Sequence, residues 1–395
     1  MNPTLAGRIC DGALLGFAFA LSLSTAVSEI LLGLTVVAWL ATAPWRRAWP
    51  RGLVALAWAT AALAAAWLLS CVTAADPVAS LVKSRKLYSI LLVFIVADRA
   101  CARRTADRLM IAGLAGGAVS ALGGLVAYLL KGGTPDHRMR GVFSTAMTSG
   151  NVYAMLALVA LGEVLAAARR FRFAAGAAFA AIGAGLAFTM TRSSWLAFAA
   201  GAVVLLARRH PRWLLAGIVG VGLFLALGPA PFRERARSIV DPTHVTNAGR
   251  ISLWKSGLAV FADHPWTVVG LADHKAVILE YRRPDATFPA GHFHNNVVQI
   301  AASTGTIGLV AYAAWMLLLA ALLVAAARRP GGERALAGAA VWLAFQVHGM
   351  FDWSFGDVEV ANHFFLWTGL GLAALAAGAT NTSGAVIASP STASE

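Results

Sequence analysis

Long apolar runs fill most of this sequence, and they limit what the chain can fold into. A helix needs about 20 apolar residues to cross the hydrocarbon core of a bilayer. By that criterion about twelve candidate spans follow one another. They lie at 8–25, 28–44, 52–73, 86–100, 109–130, 149–168, 173–190, 194–208, 212–229, 305–327, 334–350 and 361–378. Only 13% of the 395 residues are charged, too few for a soluble domain of this length. We therefore predict an all-α polytopic integral membrane protein with about 12 transmembrane helices.

The basic residues predict how these spans are oriented. If the spans alternate, every double-arginine cluster except Arg282–Arg283 falls on one side of the membrane. Positive residues in short loops mark the cytoplasmic side, so we expect both termini in the cytoplasm. The net charge of +14 is then explained by membrane topology, and we expect no nucleic-acid partner.

The same topology divides the chain into four parts. Residues 1–229 contain transmembrane helices 1–9, and 305–378 contain helices 10–12. Between them, 230–304 form one large outer loop with short amphipathic helices. Residues 379–395 are small and polar, and we predict a disordered cytoplasmic tail.

Several basic residues lie on the outer side, where they oppose the orientation rule. They are Lys83, Arg85, Lys86, Lys131, Arg138, Arg140 and Arg192. Arg250 is also out of place, because a helix capped by Asn247 would put this cation in the first turn, against the helix dipole. An anionic ligand on the outer face accounts for these positions. Four tryptophans, Trp195, Trp254, Trp266 and Trp353, are expected in the interfacial aromatic belt.

The polar stretch GHFHNNVVQIAASTG, 291–305, leads into the tenth predicted span. On a helix, His292 and His294 would point in different directions, whereas a zinc-binding pair is spaced by about four residues. The three cysteines are scattered singly, and neither an HExxH nor a CxxC motif occurs. We therefore expect no metal and no cofactor. A histidine at the mouth of a span is either a general base or a helix-entry residue that binds loop backbone, and the residues alone leave both open.

Five motifs resemble one known family. They are TRSSWLAF at 191–198, GRISLW at 249–254, HPWTVVGL at 264–271, HNNVVQIAASTGTIGLVAY at 294–312 and GMFDWSFGD at 349–357. Their order and spacing resemble the O-antigen ligase and polymerase superfamily, specifically the O-antigen ligase of Gram-negative lipopolysaccharide assembly. HPWTVVGL departs from the pattern, because it has only Gly270 where relatives often carry two glycines.

The resemblance implies a metal-independent, inverting glycosyltransferase of the bacterial inner membrane. Such an enzyme moves O-antigen polysaccharide from undecaprenyl pyrophosphate to a sugar hydroxyl of the lipid A core oligosaccharide, on the periplasmic face. The family motifs fall on His294, Asn295, Arg192, Arg250 and Asp352.

Chemistry suggests a role for each of these residues. We expect His294 to be the general base, and Arg192 and Arg250 to stabilise the leaving pyrophosphate. Asp352 and Asn295 would support them. The phosphates of donor or acceptor would bind to further outer basic residues, which are Lys83, Arg85, Lys86, Arg138 and Arg140.

Three alternatives remain open at this stage. An O-antigen polymerase or a protein O-oligosaccharyltransferase of the same superfamily would share these motifs. A secondary transporter for an organic anion, which is a different class of protein, would also contain several arginines that bind its substrate. It would place charges near the bilayer midplane and repeat its two halves, and we see neither feature here.

Overall fold

The computed structural model describes residues 3–74, 76–134, 137–166, 171–266, 270, 274–283 and 291–385, and all regular structure in these ranges is helical. Two short 3-10 segments lie at Pro44–Arg46 and Arg85–Ile90. The α-helices are α1 (Pro3–Ala20), α2 (Thr25–Leu40), α3 (Arg51–Val72), α4 (Pro77–Ser84), α5 (Leu91–Arg99), α6 (Arg103–Leu130), α7 (Ala146–Leu165), α8 (Arg172–Phe188), α9 (Arg192–Arg209), α10 (Pro211–Leu227), α11 (Ala230–Arg237), α12 (Val245–Asp263), α13 (His274–Glu280), α14 (Asn296–Ala327), α15 (Glu333–Gly349) and α16 (Val358–Ala385).

The predicted all-α architecture is confirmed for this part of the chain. Six described helical segments are long and apolar enough to cross a membrane, namely α3, α6, α7, α14, residues Thr25–Arg46, which include α2, and residues Val358–Ala377 of α16. α8 and α10 are apolar but shorter. The predicted span at 86–100 is partly 3-10 helix and partly the nine-residue α5, which rises only about 13.5 Å. The count of twelve spans therefore stays a prediction.

α7, α15 and α16 form the centre of the helical bundle. α15 packs against α7, α9, α14 and α16, and α16 also packs against α5. Small residues allow close approach, as in other membrane proteins. A side chain at Gly201 of α9, for example, would lie 2.8 Å from the Ala340 carbonyl oxygen of α15. Between α15 and α16, the rings of Phe345 and Phe364 stack at 4.1 Å.

The long connection between α10 and α14 folds around its own small apolar cluster. This cluster contains Leu253, Val260, Ile278, Phe293, Val298 and Ala302, and it is separate from the main core. α12 packs against α14 through it. The predicted cap of α12 was wrong, because the helix starts at Val245 after His244, whose Nδ1 accepts a hydrogen bond from the Thr246 amide. Arg250 consequently lies beyond the first turn, and the dipole argument for it does not apply.

α14 is interrupted at Gly305, which has a left-handed backbone with φ 61° and ψ −164°. The predicted tenth span begins at this residue. The carbonyl oxygen of Pro265 enters the break and accepts hydrogen bonds from the Thr306 amide at 2.9 Å and the Thr306 hydroxyl at 2.8 Å. Ser70 of α3 donates to the Ser303 carbonyl at 2.7 Å. Backbone groups exposed by a break in a membrane helix need such partners.

Two predicted segments are only partly described. In HPWTVVGL, residues 267–269 and 271 lie outside the described residues. Helix α16 continues to Ala385, past the predicted boundary at 378. The rest of the predicted tail, 386–395, also lies outside the described residues. The predicted domain boundaries and the orientation in the membrane therefore stay predictions.

Candidate functional site

His294 sits at the point where the chain turns into α14. Its backbone is left-handed, with φ 50°, directly before the helix cap Asn295. The Asn295 Oδ1 accepts hydrogen bonds from the amides of Val297 at 2.9 Å and Val298 at 3.1 Å. Its Nδ2 donates to the Met350 carbonyl at 3.1 Å. Asn295 thus starts the helix and also ties it to the α15–α16 connection that carries Asp352.

His294 and Asp352 form a hydrogen-bonded pair. The His294 Nδ1 lies 3.0 Å from the Asp352 Oδ1. Burial raises the pKa of the Asp352 carboxyl, but the hydrogen bond from His294 and the neighbouring histidines outweigh burial and hold the pKa at about 2. An ionised carboxylate can only accept, so the proton of the pair is on Nδ1. The lone pair of the neutral imidazole is then on Nε2, where a general base needs it.

His292 lies against this pair rather than away from it. Its ring centre is 4.1 Å from that of His294, and its Nδ1 accepts the His294 amide at 3.2 Å. The expectation that the two histidines point apart was wrong, because residues 291–294 are not helical. Burial, reinforced by His294, lowers the pKa of His292 to about 4.

The two histidines and Asp352 together offer three ligand atoms that lie within 4.8 Å of one another, a set able to hold a metal ion. The prediction that no metal is used therefore needs a direct test.

Four arginines from four elements converge beside this pair. Arg138 comes from the α6–α7 connection, Arg192 from the start of α9, Arg235 from α11 and Arg250 from α12. Burial, and then the charges of Arg235, Arg250, Arg192 and Arg140, lower the pKa of Arg138 to about 10. Burial also lowers the pKa of Arg250, while Asp352 raises it. All four remain cationic at neutral pH and repel one another, so the cluster is suited to a multiply charged anion.

Sequence reasoning selected three of these arginines and missed Arg235. Arg235 belongs to FRERARSIV, where Arg233, Arg235 and Arg237 are spaced two apart. The Arg235 Nε donates to the Met190 carbonyl at 2.9 Å, which turns its side chain toward the start of α9. Arg237 is exposed. No signal in this short segment could have separated the three arginines.

The partners of Arg192 distinguish it from the other members of the cluster. Its Nη1 donates to the carbonyl and the hydroxyl of Ser238, and its Nη2 donates to Thr246 at 2.6 Å and Asn247 at 2.8 Å. The side chain is buried, with 7% of the residue exposed. Arg192 thus fastens the α11–α12 connection to the start of α9, and its terminal nitrogens are already engaged.

Arg250 and Arg235 have donors to spare. Among the described residues, the guanidinium of Arg250 makes a single hydrogen bond, from Nη2 to the Met147 sulfur at 3.6 Å. Within the same part of the chain, the terminal nitrogens of Arg235 have no hydrogen-bond partner. These two guanidinium groups are therefore better placed than Arg192 to bind an anion directly.

Two adjoining cavities contain Arg138 with Arg140 in one and His294 with Asp352 in the other. The first, which we call the arginine cavity, has a volume of about 660 Å³ and is lined by Lys131, His137, Arg138 and Arg140. The other, of about 860 Å³, is lined by His292, His294 and Asp352. Ser144, Thr145 and Met147 line both cavities. The two cavities therefore adjoin at these three residues.

The predicted phosphate-binding residues are divided between two places. Arg138 and Arg140 lie in the arginine cavity. Lys83 and Lys86 line a third cavity, of about 260 Å³, which also includes His292 and Trp353. The side chain of Arg85 lies outside the described residues. The site thus has one strongly cationic side and one side of mixed charge.

Comparison with known families gives one match. Residues 176–313, about one third of the chain, match the family model described as O-antigen ligase. The match includes the motifs around Arg192, Arg250 and His294, while Asp352 lies beyond its end. The comparison with curated proteins gives no match. Over residues 176–313, this chain is therefore similar to the O-antigen ligase family.

Proposed function

We propose that this protein is an O-antigen ligase. It transfers O-antigen polysaccharide from undecaprenyl pyrophosphate to a terminal sugar hydroxyl of the lipid A core oligosaccharide. The reaction takes place on the periplasmic face of the inner membrane, inverts the anomeric centre and uses no metal. The observation that carries the proposal is the His294–Asp352 pair, which lines a cavity adjoining another that is lined by Arg138 and Arg140.

The reaction needs a base at the acceptor hydroxyl. The hydroxyl oxygen attacks the anomeric carbon of the donor sugar from the face opposite the pyrophosphate. A carbon–oxygen bond to the acceptor forms while the bond to the pyrophosphate oxygen breaks, and its electron pair leaves with undecaprenyl pyrophosphate. His294 Nε2 takes the hydroxyl proton, and the ionised Asp352 stabilises the imidazolium that results.

The reaction also needs positive charge at the leaving group. One guanidinium group can donate two parallel hydrogen bonds to the oxygens of a phosphate. Its positive charge also stabilises the negative charge that develops on the pyrophosphate as the bond to the sugar breaks. Arg235 and Arg250 have donors available for this role, and Arg138 and Arg140 line the same side. Arg192 holds the loop that carries this cluster. Binding of a pyrophosphate also offsets the repulsion among the arginines.

The polymerase and the protein O-oligosaccharyltransferase share this chemistry and differ in the acceptor. One assay therefore separates them. Purified protein is incubated with polyprenyl-pyrophosphate-linked glycan and one of three acceptors: rough lipopolysaccharide, a second lipid-linked repeat unit, or a peptide. We expect glycan on rough lipopolysaccharide only. Transfer to the lipid-linked repeat unit instead would identify a polymerase, and transfer to the peptide would identify a protein O-oligosaccharyltransferase.

The same assay tests the base and the metal. Transfer should continue in EDTA and should be lost in His294→Ala protein that remains folded. Loss of transfer in EDTA, restored by one divalent ion, would contradict the metal-free mechanism and would point to the set formed by His292, His294 and Asp352. Full transfer by the His294→Ala variant would exclude the general-base role.

A further inference from the structure

The cavity that contains His294 extends beyond the catalytic pair to a second group of side chains. Glu29 of α2 lines it, together with Asp357 and Glu359 at the start of α16. The proposed mechanism uses none of them. Their charge is opposite to that of the arginine cavity on the other side of Ser144 and Thr145. The two sides of the site are therefore built for ligands of different chemistry.

These carboxylates are held in place by hydrogen bonds from other helices. Glu29 accepts from the Tyr88 hydroxyl at 2.8 Å and from Asn362 Nδ2 at 2.9 Å. Glu359 accepts from the Thr25 hydroxyl at 2.7 Å. A carboxylate offers about four acceptor positions, so both retain capacity for further donors.

A buried amide beside these carboxylates also lacks a donor. Asn362 is fully buried, and its Oδ1 has no hydrogen-bond partner among the described residues. Its Nδ2 is bound to Glu29. Asn362 is not among the residues that line the cavity, so the ligand is indicated by the carboxylates of Glu29 and Glu359, which do line it and favour a ligand that donates several hydrogen bonds.

The remaining walls match the other surfaces of a sugar. Trp353 lines this cavity and the adjoining one, so its indole serves the site in addition to any role in the predicted aromatic belt. Lys86 also lines both cavities. Its Nζ lies 3.5 Å from the Gly356 carbonyl, close to Glu359. Its charge is thus partly offset by that carboxylate and is less available to a phosphate.

We propose that this carboxylate-lined part of the cavity binds the acceptor sugar through its hydroxyl groups. The sugar is uncharged or amino-substituted rather than phosphorylated, because the carboxylates of Glu29 and Glu359 repel phosphate. Bound there, a hydroxyl of the sugar reaches His294, while the donor diphosphate occupies the arginine cavity. This inference rests on the proposed ligase function and assigns each substrate to one side of it.

Steady-state kinetics of the full-length protein test the assignment, with donor and rough lipopolysaccharide varied separately. Glu29→Gln removes a charged acceptor, and Thr25→Val removes one of the hydrogen bonds that hold Glu359. Each should raise the KM for rough lipopolysaccharide by about tenfold or more and leave the donor KM within about twofold. The control is Asp263→Asn, which removes a carboxylate that is bound to Tyr281 outside this cavity. It should change neither KM.

A binding measurement separates this inference from the ligase proposal. Rough lipopolysaccharide, intact or enzymatically dephosphorylated, is titrated into the folded protein without donor. Both forms should bind, and Glu29→Gln should weaken both by about tenfold or more. Unchanged binding and unchanged acceptor KM in Glu29→Gln and Thr25→Val, or binding that is lost on dephosphorylation, would overturn the inference. If the wild-type protein binds but does not transfer, the ligase proposal fails while the sugar site stands.

Discussion

Two arginines in the family motifs show that a side chain's partners decide its role. Arg192 and Arg250 look equivalent in the sequence, because both are cations in motifs that resemble one family and both are predicted to lie on the outer face. In the fold, Arg192 donates to Ser238, Thr246 and Asn247. Arg250 has only the weak contact with Met147 among the described residues. Arg192 is therefore best described as a positioning residue, and Arg250 as a residue with free donors for the pyrophosphate.

Asp352 should affect the chemical step rather than substrate binding. In Asp352→Asn, the amide can donate to His294 Nδ1, which would move the imidazole proton to Nε2 and block the base. We expect kcat to fall by about 10²–10⁴-fold, with little change in either KM. Separate kinetic measurements for donor and acceptor check this. An unchanged kcat would mean that Asp352 does not set the tautomer.

Asp357 predicts a dependence of stability on pH. Burial, and then its hydrogen bond with Glu359, raise the pKa of Asp357 to about 7. Because this pKa is above the ordinary value of 3.8, the carboxyl favours the folded state while protonated. That contribution is present below pH 4 and is lost as the pH rises through 7.

Asp357→Asn should remove this dependence. The Tm of the variant relative to wild type should increase between pH 5 and pH 8, as measured by thermal unfolding in detergent. A Tm difference that is constant, or that falls as the pH rises, would contradict the raised pKa.

At the scale of an element, the break in α14 joins two family motifs. The left-handed backbone of Gly305 interrupts the helix. At this break, the Pro265 carbonyl of HPWTVVGL accepts a hydrogen bond from the Thr306 hydroxyl. The segment 296–304 is thereby held between Asn295 and the break. The N-terminus of this segment carries the turn that presents His294, so the position of the base depends on both motifs.

Gly305→Ala should destabilise the protein. A side chain there would lie 3.0 Å from the Pro265 carbonyl, on a backbone that only glycine adopts without strain. We expect a loss of about 1–3 kcal/mol, seen as a lower Tm. Gly217→Ala in α10 is the matched control, because a side chain there meets nothing within 4 Å. An equal effect of the two changes would show that the break tolerates an ordinary residue.

At the scale of the whole molecule, the arginine cluster exists only because four distant segments meet. Arg235→Ala should raise the donor KM by about tenfold or more, because a charge-assisted contact to the pyrophosphate is lost. Arg237→Ala, on the same helix but exposed, should leave it unchanged. Equal effects of both variants would indicate a long-range attraction between the arginines and the donor pyrophosphate rather than direct binding by Arg235. Such an attraction should weaken as the salt concentration rises.

The native cysteines test the predicted topology. Cys101 is exposed in the α5–α6 connection, whereas Cys10 and Cys71 are buried. If both termini are cytoplasmic, a membrane-impermeant maleimide should label Cys101 in inside-out vesicles but not in intact spheroplasts. Lys255→Cys, exposed on α12, should show the opposite pattern in a Cys101→Ser background. Labelling of Cys101 from outside would reverse the orientation.

Much of this organisation could be predicted without coordinates. A bilayer demands long apolar helices, so hydropathy alone locates them, and ordered motifs such as HNN predict the similarity to O-antigen ligases. The short helices were harder to place. The cap of α12 falls on His244 rather than Asn247, because Asn247 bonds to Ser238, Asp241 and Arg192 instead. Local rules cannot anticipate such a distant competitor for a side chain.

By itself, the sequence determined the all-helical class and the similarity to O-antigen ligases, and it selected His294, Arg192 and Arg250 as candidate site residues, since these depend on hydropathy and on short motifs. Only the tertiary structure decided that Asp352 orients His294, that Arg235 joins the arginines, and that Glu29 shares a cavity with the base. The reason is physical. Hydropathy acts on each segment separately, whereas burial, pKa and hydrogen-bond partners are set by residues far away in the chain.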